Sequence, residues 1–270
     1  MHPPTYLAAA AQMTSTGDRA RNLATALRLV EEAAALGARL VGLPENFAFM
    51  GREEERIGGA ETLEGPTVSA LREAARARRI HVLAGSIAEQ VEAPGKTANT
   101  SVLIGDDGAV LAAYRKIHLF DVNIPDGARY AESETVLPGD RAVVAPTALG
   151  RVGLTVCYDL RFPELYRQLS AQGAELITIP AAFTLYTGKD HWEVLVRARA
   201  IENLCHVVAP AQVGRHSANR VTFGNAMVVD PWGVVLARCG DGEGLAVAPV
   251  RRDRLEQCRR ELPALQHRRL

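Results

Sequence analysis

The chain has 270 residues, with 31 basic and 31 acidic side chains and so no net charge. That balance argues against a protein whose main business is binding nucleic acid or an anionic membrane surface, since either calls for a basic excess. No apolar run reaches the roughly 18 residues of a membrane span, and the first residues carry no Lys or Arg before Arg19, so they do not read as a secretory signal.

In chain order, residues 6–13 read as a strand. Asp18 then caps a helix to about residue 36, with Leu23, Leu27 and Val30 on one face and Gly37 as its stop. Residues 40–43 form a short apolar strand that runs into Pro44-Glu45. Gly65-Pro66 opens a helix to about residue 79, with Pro at the first helical position, where its missing N–H does no harm. Residues 80–88, 97–104 and 109–114 are strands, the last two joined by the hairpin signal Asp106-Asp107-Gly108. Residues 115–141 are polar, contain Pro and Gly, and follow no period, so they are expected to be a loop that covers something.

Beyond it come a buried strand at 152–156, a helix at about 162–171, a strand at 176–179, a helix at 190–204 and a strand at 206–213. Residues 222–229 and 234–237 are strands joined by Asp230-Pro231-Trp232-Gly233, and a strand at 245–250 precedes a last helix at 251–262. Strands interleaved with helices and hairpins imply an α/β fold, a mixed sheet covered by helices. With no linker, repeat or low-complexity tract, residues 1–270 read as one domain.

The four cysteines, Cys157, Cys205, Cys239 and Cys258, contain no C-x-x-C pair, which argues against a zinc site. Sparse Cys fits free thiols in a reducing cytoplasm. The chain also lacks G-x-S-x-G, H-E-x-x-H, G-x-x-x-x-G-K-[ST] and G-x-G-x-x-G, so serine, zinc-peptidase and nucleotide chemistry each lose their usual sign.

Three residues stand out by position. Cys157 follows the apolar strand 152–156 and precedes Tyr158-Asp159-Leu160-Arg161 and a helix. A nucleophile at such a turn is exposed where the sheet ends, backbone N–H groups beyond it can hold an oxyanion, and a helix N-terminus lowers a thiol pKa. Glu45 ends the strand 40–43 and can serve as a general base. Lys116 ends the strand 109–114 in a chain with 28 Arg and only three Lys. A compact ammonium approaches a developing oxyanion where the planar Arg fork would not. All three lie at carboxyl ends of strands, where α/β sheets commonly place ligands. Taken singly, each has a plainer reading: a small buried hydrophobe, a loop cap and a solvated rim cation. His118, His191 and His206 are rival partners for Cys157, and a Cys–His pair would imply a papain-like hydrolase.

The segments LVGLPENF around Glu45, YRKIHLFDVNIP around Lys116 and GLTVCYDLRFPELYR around Cys157 resemble, in order and spacing, the signature of the nitrilase superfamily of carbon–nitrogen hydrolases. The likeness covers nearly the whole chain. It implies a four-layer α-β-β-α sandwich of two mixed sheets and a Glu45–Lys116–Cys157 triad. The family's x-E-S matches Ala131-Glu132-Ser133, so Glu132 is implied as a supporting acid. The segments AAFTLYTGKDHWEVLVRARAIEN and MVVDPWGVVLA look most like the Nit-type amidases. Two activities of that branch are hydrolysis of deaminated glutathione and of α-ketoglutaramate (omega-amidase). Gly214-Arg215-His216 and the ending LPALQHRR look more like the first.

The resemblance thus implies an amidase that cleaves a terminal amide of a small keto-acid substrate to acid and ammonia through a thioester. Lys116 and the backbone N–H of Tyr158 would hold the oxyanion, with no metal or organic cofactor. Omega-amidase and other carbon–nitrogen hydrolases such as a carbamoylase are the alternatives. Arg161 is the nearest fork for a substrate carboxylate; Arg197 and Arg199 fit helix-surface or interface pairing better. Phe183 and Thr187 would line the pocket by analogy. Members dimerise through helices and some form tetramers, so a homodimer or tetramer is implied.

Overall fold

Alternation along the first strand builds the layers. In the computed structural model, which describes residues 4–123, 129–218 and 220–269, β1 (Thr5–Met13) is a strand of apolar residues on both faces. Ala8 and Ala10 pack into one apolar cluster; Ala9, Ala11 and Met13 pack into another. Side chains of a strand alternate between faces, so one strand can serve two cores. A strand of alanines also lets neighbouring layers approach closely.

The elements then follow. They are α1 (Arg19–Ala35), β2 (Ala38–Gly42), α2 (Glu53–Gly58), α3 (Pro66–Arg78), β3 (His81–Gln90), β4 (Thr97–Ile104) and β5 (Val110–Arg115). Next are β6 (Asp121–Asn123), β7 (Arg129–Ala131), β8 (Val136–Leu137), β9 (Val143–Thr147) and β10 (Gly150–Leu154). The rest are α4 (Pro163–Ala171), β11 (Leu176–Thr178), α5 (Leu185–Asn203), β12 (His206–Ala209), β13 (Ala211–Ser217), β14 (Arg220–Phe223), β15 (Met227–Val229), β16 (Val235–Arg238), β17 (Gly244–Arg251) and α6 (Arg252–Glu261).

One mixed sheet runs β14-β13-β1-β2-β3-β4-β5, with β17 also on β1 and β8 on β4. The other runs β16-β15-β12-β11-β10-β9. Helices α1 and α3 cover the first sheet through Leu29, Val30, Val68 and Leu71, and α4 and α5 cover the second through Leu165, Tyr166, Trp192 and Val196. Tyr6, Ala8, Leu40 and Leu83 of the first sheet share a cluster with Val152, Leu154 and Val207 of the second. The order of layers is therefore α-β-β-α, as the resemblance implied.

The expected elements differ from the observed ones in instructive places. The strand expected at 206–213 breaks at Pro210, where the chain passes from the second sheet (β12) to the first (β13). Proline has no N–H for a ladder, and here its carbonyl accepts instead from Ala181 N at 3.0 Å. The strand expected at 222–229 breaks at Gly224 and Asn225, whose φ angles of +74° and +62° no strand accommodates. The helix expected from 190 starts at Leu185, capped by the Thr184 hydroxyl. Its Gly188 lies where any Cβ would collide with Phe223, so it marks close packing rather than a break. Strand β9 was hidden by Pro146, which an edge strand tolerates. The polar stretch 115–141 carries the hairpin β6–β7, a 3-10 turn at Glu132–Glu134 and β8. Ile124 and Pro125 of the motif there lie outside the described residues.

Candidate active site

Three strand ends supply the central side chains. After β2, Leu43 N still bonds to Leu83 O at 2.9 Å, and the chain then turns through Asn46 with φ +55°. Asn46 N donates to Ser86 Oγ at 3.0 Å, and Glu45 O accepts from Gln212 Nε2 at 3.0 Å. Gly85 is required beside this turn, since a Cβ would strike the carbonyl of Leu43. Lys116 follows β5 with its N–H on Asn99 O and its carbonyl on Gly139 N, both at 2.8 Å. Both ends of its backbone are thus pinned.

Cys157 sits at φ +48°, a left-handed conformation that costs an L residue on the order of 1 kcal/mol. Asp159 holds it there. One carboxylate oxygen accepts from Val156 N at 2.8 Å and from the Tyr114 hydroxyl at 2.7 Å; the other accepts from His118 N at 3.1 Å and His118 Nδ1 at 2.7 Å. One buried carboxylate therefore ties the elbow of the second sheet to the strand of the first that carries Lys116.

The three side chains meet between the sheets. Lys116 Nζ lies 2.9 Å from Glu45 Oε1 and 2.8 Å from Glu132 Oε2. Asn99 Nδ2 donates to both carboxylates at 3.0 Å, which fixes the orientation of its amide. The remaining Glu45 oxygen accepts from Ala182 N at 3.1 Å, and Glu132 Oε2 also accepts from Phe120 N at 2.7 Å. Glu45 is 3% exposed, Lys116 1% and Cys157 7%.

At that burial, local charges decide the protonation states. Burial alone would lower Lys116, but the carboxylates of Glu132 and Glu45 outweigh it and raise its pKa, so it stays an ammonium. Burial would raise Glu132, yet Lys116, Asn99 and the Phe120 N–H bring it below its ordinary value, so it stays ionised. Burial first and the Glu45 carboxylate second push the Cys157 thiol well above its ordinary value; Lys116 only partly opposes them. This corrects the expected lowering by a helix N-terminus. The turn at Cys157–Arg161 is a 3-10 turn of five residues, too short a stack of peptide dipoles to overcome desolvation. The resting thiol is neutral and feels the Glu45 carboxylate beside it, a base placed to take its proton.

These groups lie at the wall of a cavity of about 410 Å³. Tyr158, Arg161, Phe183 and Thr187 line it with Glu45, Lys116, Glu132 and Cys157. The Tyr158 N–H is second in its 3-10 turn, so the turn itself provides it no acceptor. The Arg161 guanidinium lies over the Phe183 ring at 5.3 Å and faces His191 Nδ1 at 3.2 Å. Arg197 instead bonds to Gly233 O, and Arg199 to Leu160 O and Glu202. The histidines are engaged elsewhere: His118 with Asp159 and stacked on Phe162 at 3.7 Å, His191 with Arg161, His206 with Arg251 O. Among the described residues no group of three His, Cys, Asp or Glu could hold a metal ion.

Reading the sequence missed Asn99, Asp159, Arg220 and Thr222. A polar Asn in a strand buried at every position was the available signal, since buried amides need partners. Asp159 looked like any turn acid, because the donors that distinguish it, on His118 and Tyr114, lie some 40 residues away in sequence.

Residues 7–260 match the model of the carbon–nitrogen hydrolase family. The chain is 52% identical over 266 residues to a deaminated glutathione amidase of Synechocystis, covering 97% of this chain and 98% of that one. The crystal structure of the C. elegans NitFhit protein superposes with a TM-score of 0.94 at 39% identity, over 100% of this chain and 66% of the other. That of Saccharomyces cerevisiae Nit3, a member of branch 10 of the nitrilase superfamily, gives 0.89 at 30% identity, over 100% and 98%.

Proposed function

The chain belongs to the carbon–nitrogen hydrolase family, and from that premise we propose that its substrate is the amide of a small 2-oxo acid, of the deaminated-glutathione type, cleaved through a thioester on Cys157. It is a hydrolase of amide carbon–nitrogen bonds. The observation that carries the mechanism is the buried Lys116 ammonium between Glu45 and Glu132, on the wall of the same cavity as the Cys157 thiol.

Cys157 Sγ attacks the amide carbon while Glu45 takes the thiol proton, which avoids a free thiolate in a buried site. Lys116 Nζ and the Tyr158 N–H hold the oxyanion. Glu45 then gives its proton to the leaving nitrogen, which departs as ammonia from a primary amide or as a larger amine from a secondary one. Glu45 next deprotonates a water that attacks the thioester, and the carboxylic acid leaves with the thiol restored. Glu132 and Asn99 position the ammonium. Arg161 pairs with the substrate carboxylate, while Phe183 and Thr187 bound the acyl pocket.

The test is a panel of deaminated glutathione, α-ketoglutaramate and an N-carbamoyl amino acid, read as amine or ammonia released per enzyme. The expected order places deaminated glutathione first. Carbon dioxide release from the carbamoyl compound as the fastest reaction would replace this reading with a carbamoylase.

The chain acts as one domain and as a homodimer. Val194, Ile201, Trp232 and Val234 are large apolar residues left 66%, 45%, 48% and 49% exposed on α5 and the 230–234 turn. Arg197 Nε joins these two by bonding to Gly233 O at 2.8 Å, so the patch is continuous, and such patches mark association surfaces. Sedimentation equilibrium is expected to give twice the chain's mass, and Val194→Glu a monomer. A wild-type monomer would remove the dimer. Free thiols at all four cysteines support a reducing cytoplasm as its location.

A further inference from the structure

Charges in the cavity mostly neutralise one another. Glu45 and Glu132 are held by Lys116, and Glu53 by Arg56 at 2.8 Å. Arg220 is different. It lines the same cavity and is half-buried. Its guanidinium has no hydrogen bond or ion pair among the described residues. A cation left unpaired in a concave site is an anion-binding group waiting for its ligand.

The strand explains its placement. Within β14, Arg220 and Thr222 face the cavity while Val221 and Phe223 do not, as a pleat requires. Thr222 bridges to Thr184, and Phe223 N bonds to Phe183 O at 3.0 Å, so the strand is fastened to the segment that carries Ala182 and Phe183. Arg220 stands two residues, about 7 Å, along the strand from Thr222.

Thr222 is polarised in one sense. His216 Nδ1 lies 2.7 Å from the carbonyl of Ser15, which can only accept, so Nδ1 carries the proton. The imidazole is neutral, because burial holds its pKa down to about 4. Its Nε2 must then accept from the Thr222 hydroxyl at 2.6 Å. The hydroxyl proton is used there, and Thr222 Oγ1 has only lone pairs left for the cavity.

We propose that Thr222 and Arg220 form a subsite for the leaving amine: Thr222 accepts an N–H, Arg220 binds a terminal carboxylate, and the enzyme thereby prefers amides whose amine is a short peptide acid over primary amides. Arg161 is left for the acyl-side carboxylate. The inference rests on the amidase reading above and deepens it.

The experiment compares Arg220→Gln with wild type on two substrates. Deaminated glutathione releases a dipeptide ending in a carboxylate; α-ketoglutaramate has the same acyl group and releases ammonia. The ratio of their kcat/KM values is expected to fall by about tenfold to a hundredfold, the worth of a hydrogen-bonded charge, mostly through KM. Arg220→Lys should restore part of it. A structural role would lower both substrates together, and an unchanged ratio overturns the proposal. Binding of deaminated glutathione to Cys157→Ala, with and without Arg220→Gln, is measured alongside by calorimetry and needs no turnover. If the wild type cleaves neither compound, the amidase reading falls. The subsite then stands if binding weakens tenfold without Arg220, and falls if binding is unchanged or absent.

Discussion

Replacing Cys157 by Ala should abolish amide hydrolysis, by about four to six orders of magnitude in kcat, as loss of a nucleophile does in other covalent hydrolases. The protein should still fold. The side chain is small and 7% exposed, and alanine bears the left-handed φ of +48° about as poorly as cysteine, so the backbone penalty is unchanged. The elbow is held by Asp159 through Val156 N, His118 and Tyr114 rather than by the thiol. Two measurements check this. Amine release should be lost while the thermal midpoint stays within a few degrees of wild type. Intact-mass analysis after iodoacetamide should show one fewer alkylated cysteine. Amine release by the variant above one part in a thousand of wild type would mean that Cys157 is not the nucleophile.

Lys116→Arg keeps the charge and should still lose turnover, by about a hundredfold to a thousandfold, the cost of one oxyanion donor. Lys116 Nζ fits between carboxylates at 2.9 and 2.8 Å with 1% of the residue exposed. A guanidinium is wider and planar, so it displaces Glu45 or Glu132. Lys116→Met tests the same cluster through stability. It leaves two buried carboxylates facing each other with no cation, which costs about 3–5 kcal/mol when one partner of a buried pair is removed. Denaturant titration reads that loss. The pH sign follows from Glu132, whose folded pKa lies below its ordinary value. Its pairing stabilises in full above the unfolded carboxylate pKa and is lost as pH falls through the depressed one. An Arg variant that kept most of its turnover would show that positive charge alone suffices at this position.

The three central candidates were visible for a local reason, and the family motifs around them set aside their plainer readings. Glu45, Lys116 and Cys157 each interrupt or end an apolar strand, and a polar group at that place in an α/β sheet stands out in the sequence. Arg161 was named as the nearest fork after Cys157, Phe183 and Thr187 by likeness alone, and all three line the cavity. Asn99 and Asp159 were not seen. Each acts by accepting from or donating to groups of other strands, and no local pattern encodes which strands those are. The stretch 115–141 read as a loop because its pairings, such as Thr97 with Val136, join short segments to a distant strand.

By itself the sequence determined the secondary-structure alternation, the α/β class, the absence of net charge and the three strand-end residues. Each of these is a property of a residue and its near neighbours, through periodicity, propensity and composition. Tertiary structure decided the division into two sheets, which turns on Pro210 carrying the chain from one sheet to the other. It also decided the protonation of the site. A thiol at a strand-to-helix turn looked set for a lowered pKa, and burial beside Glu45 raised it instead. Desolvation and Coulomb interaction depend on distance in space, and only the packed fold brings Glu45, Lys116, Glu132 and Cys157 close enough for either to act.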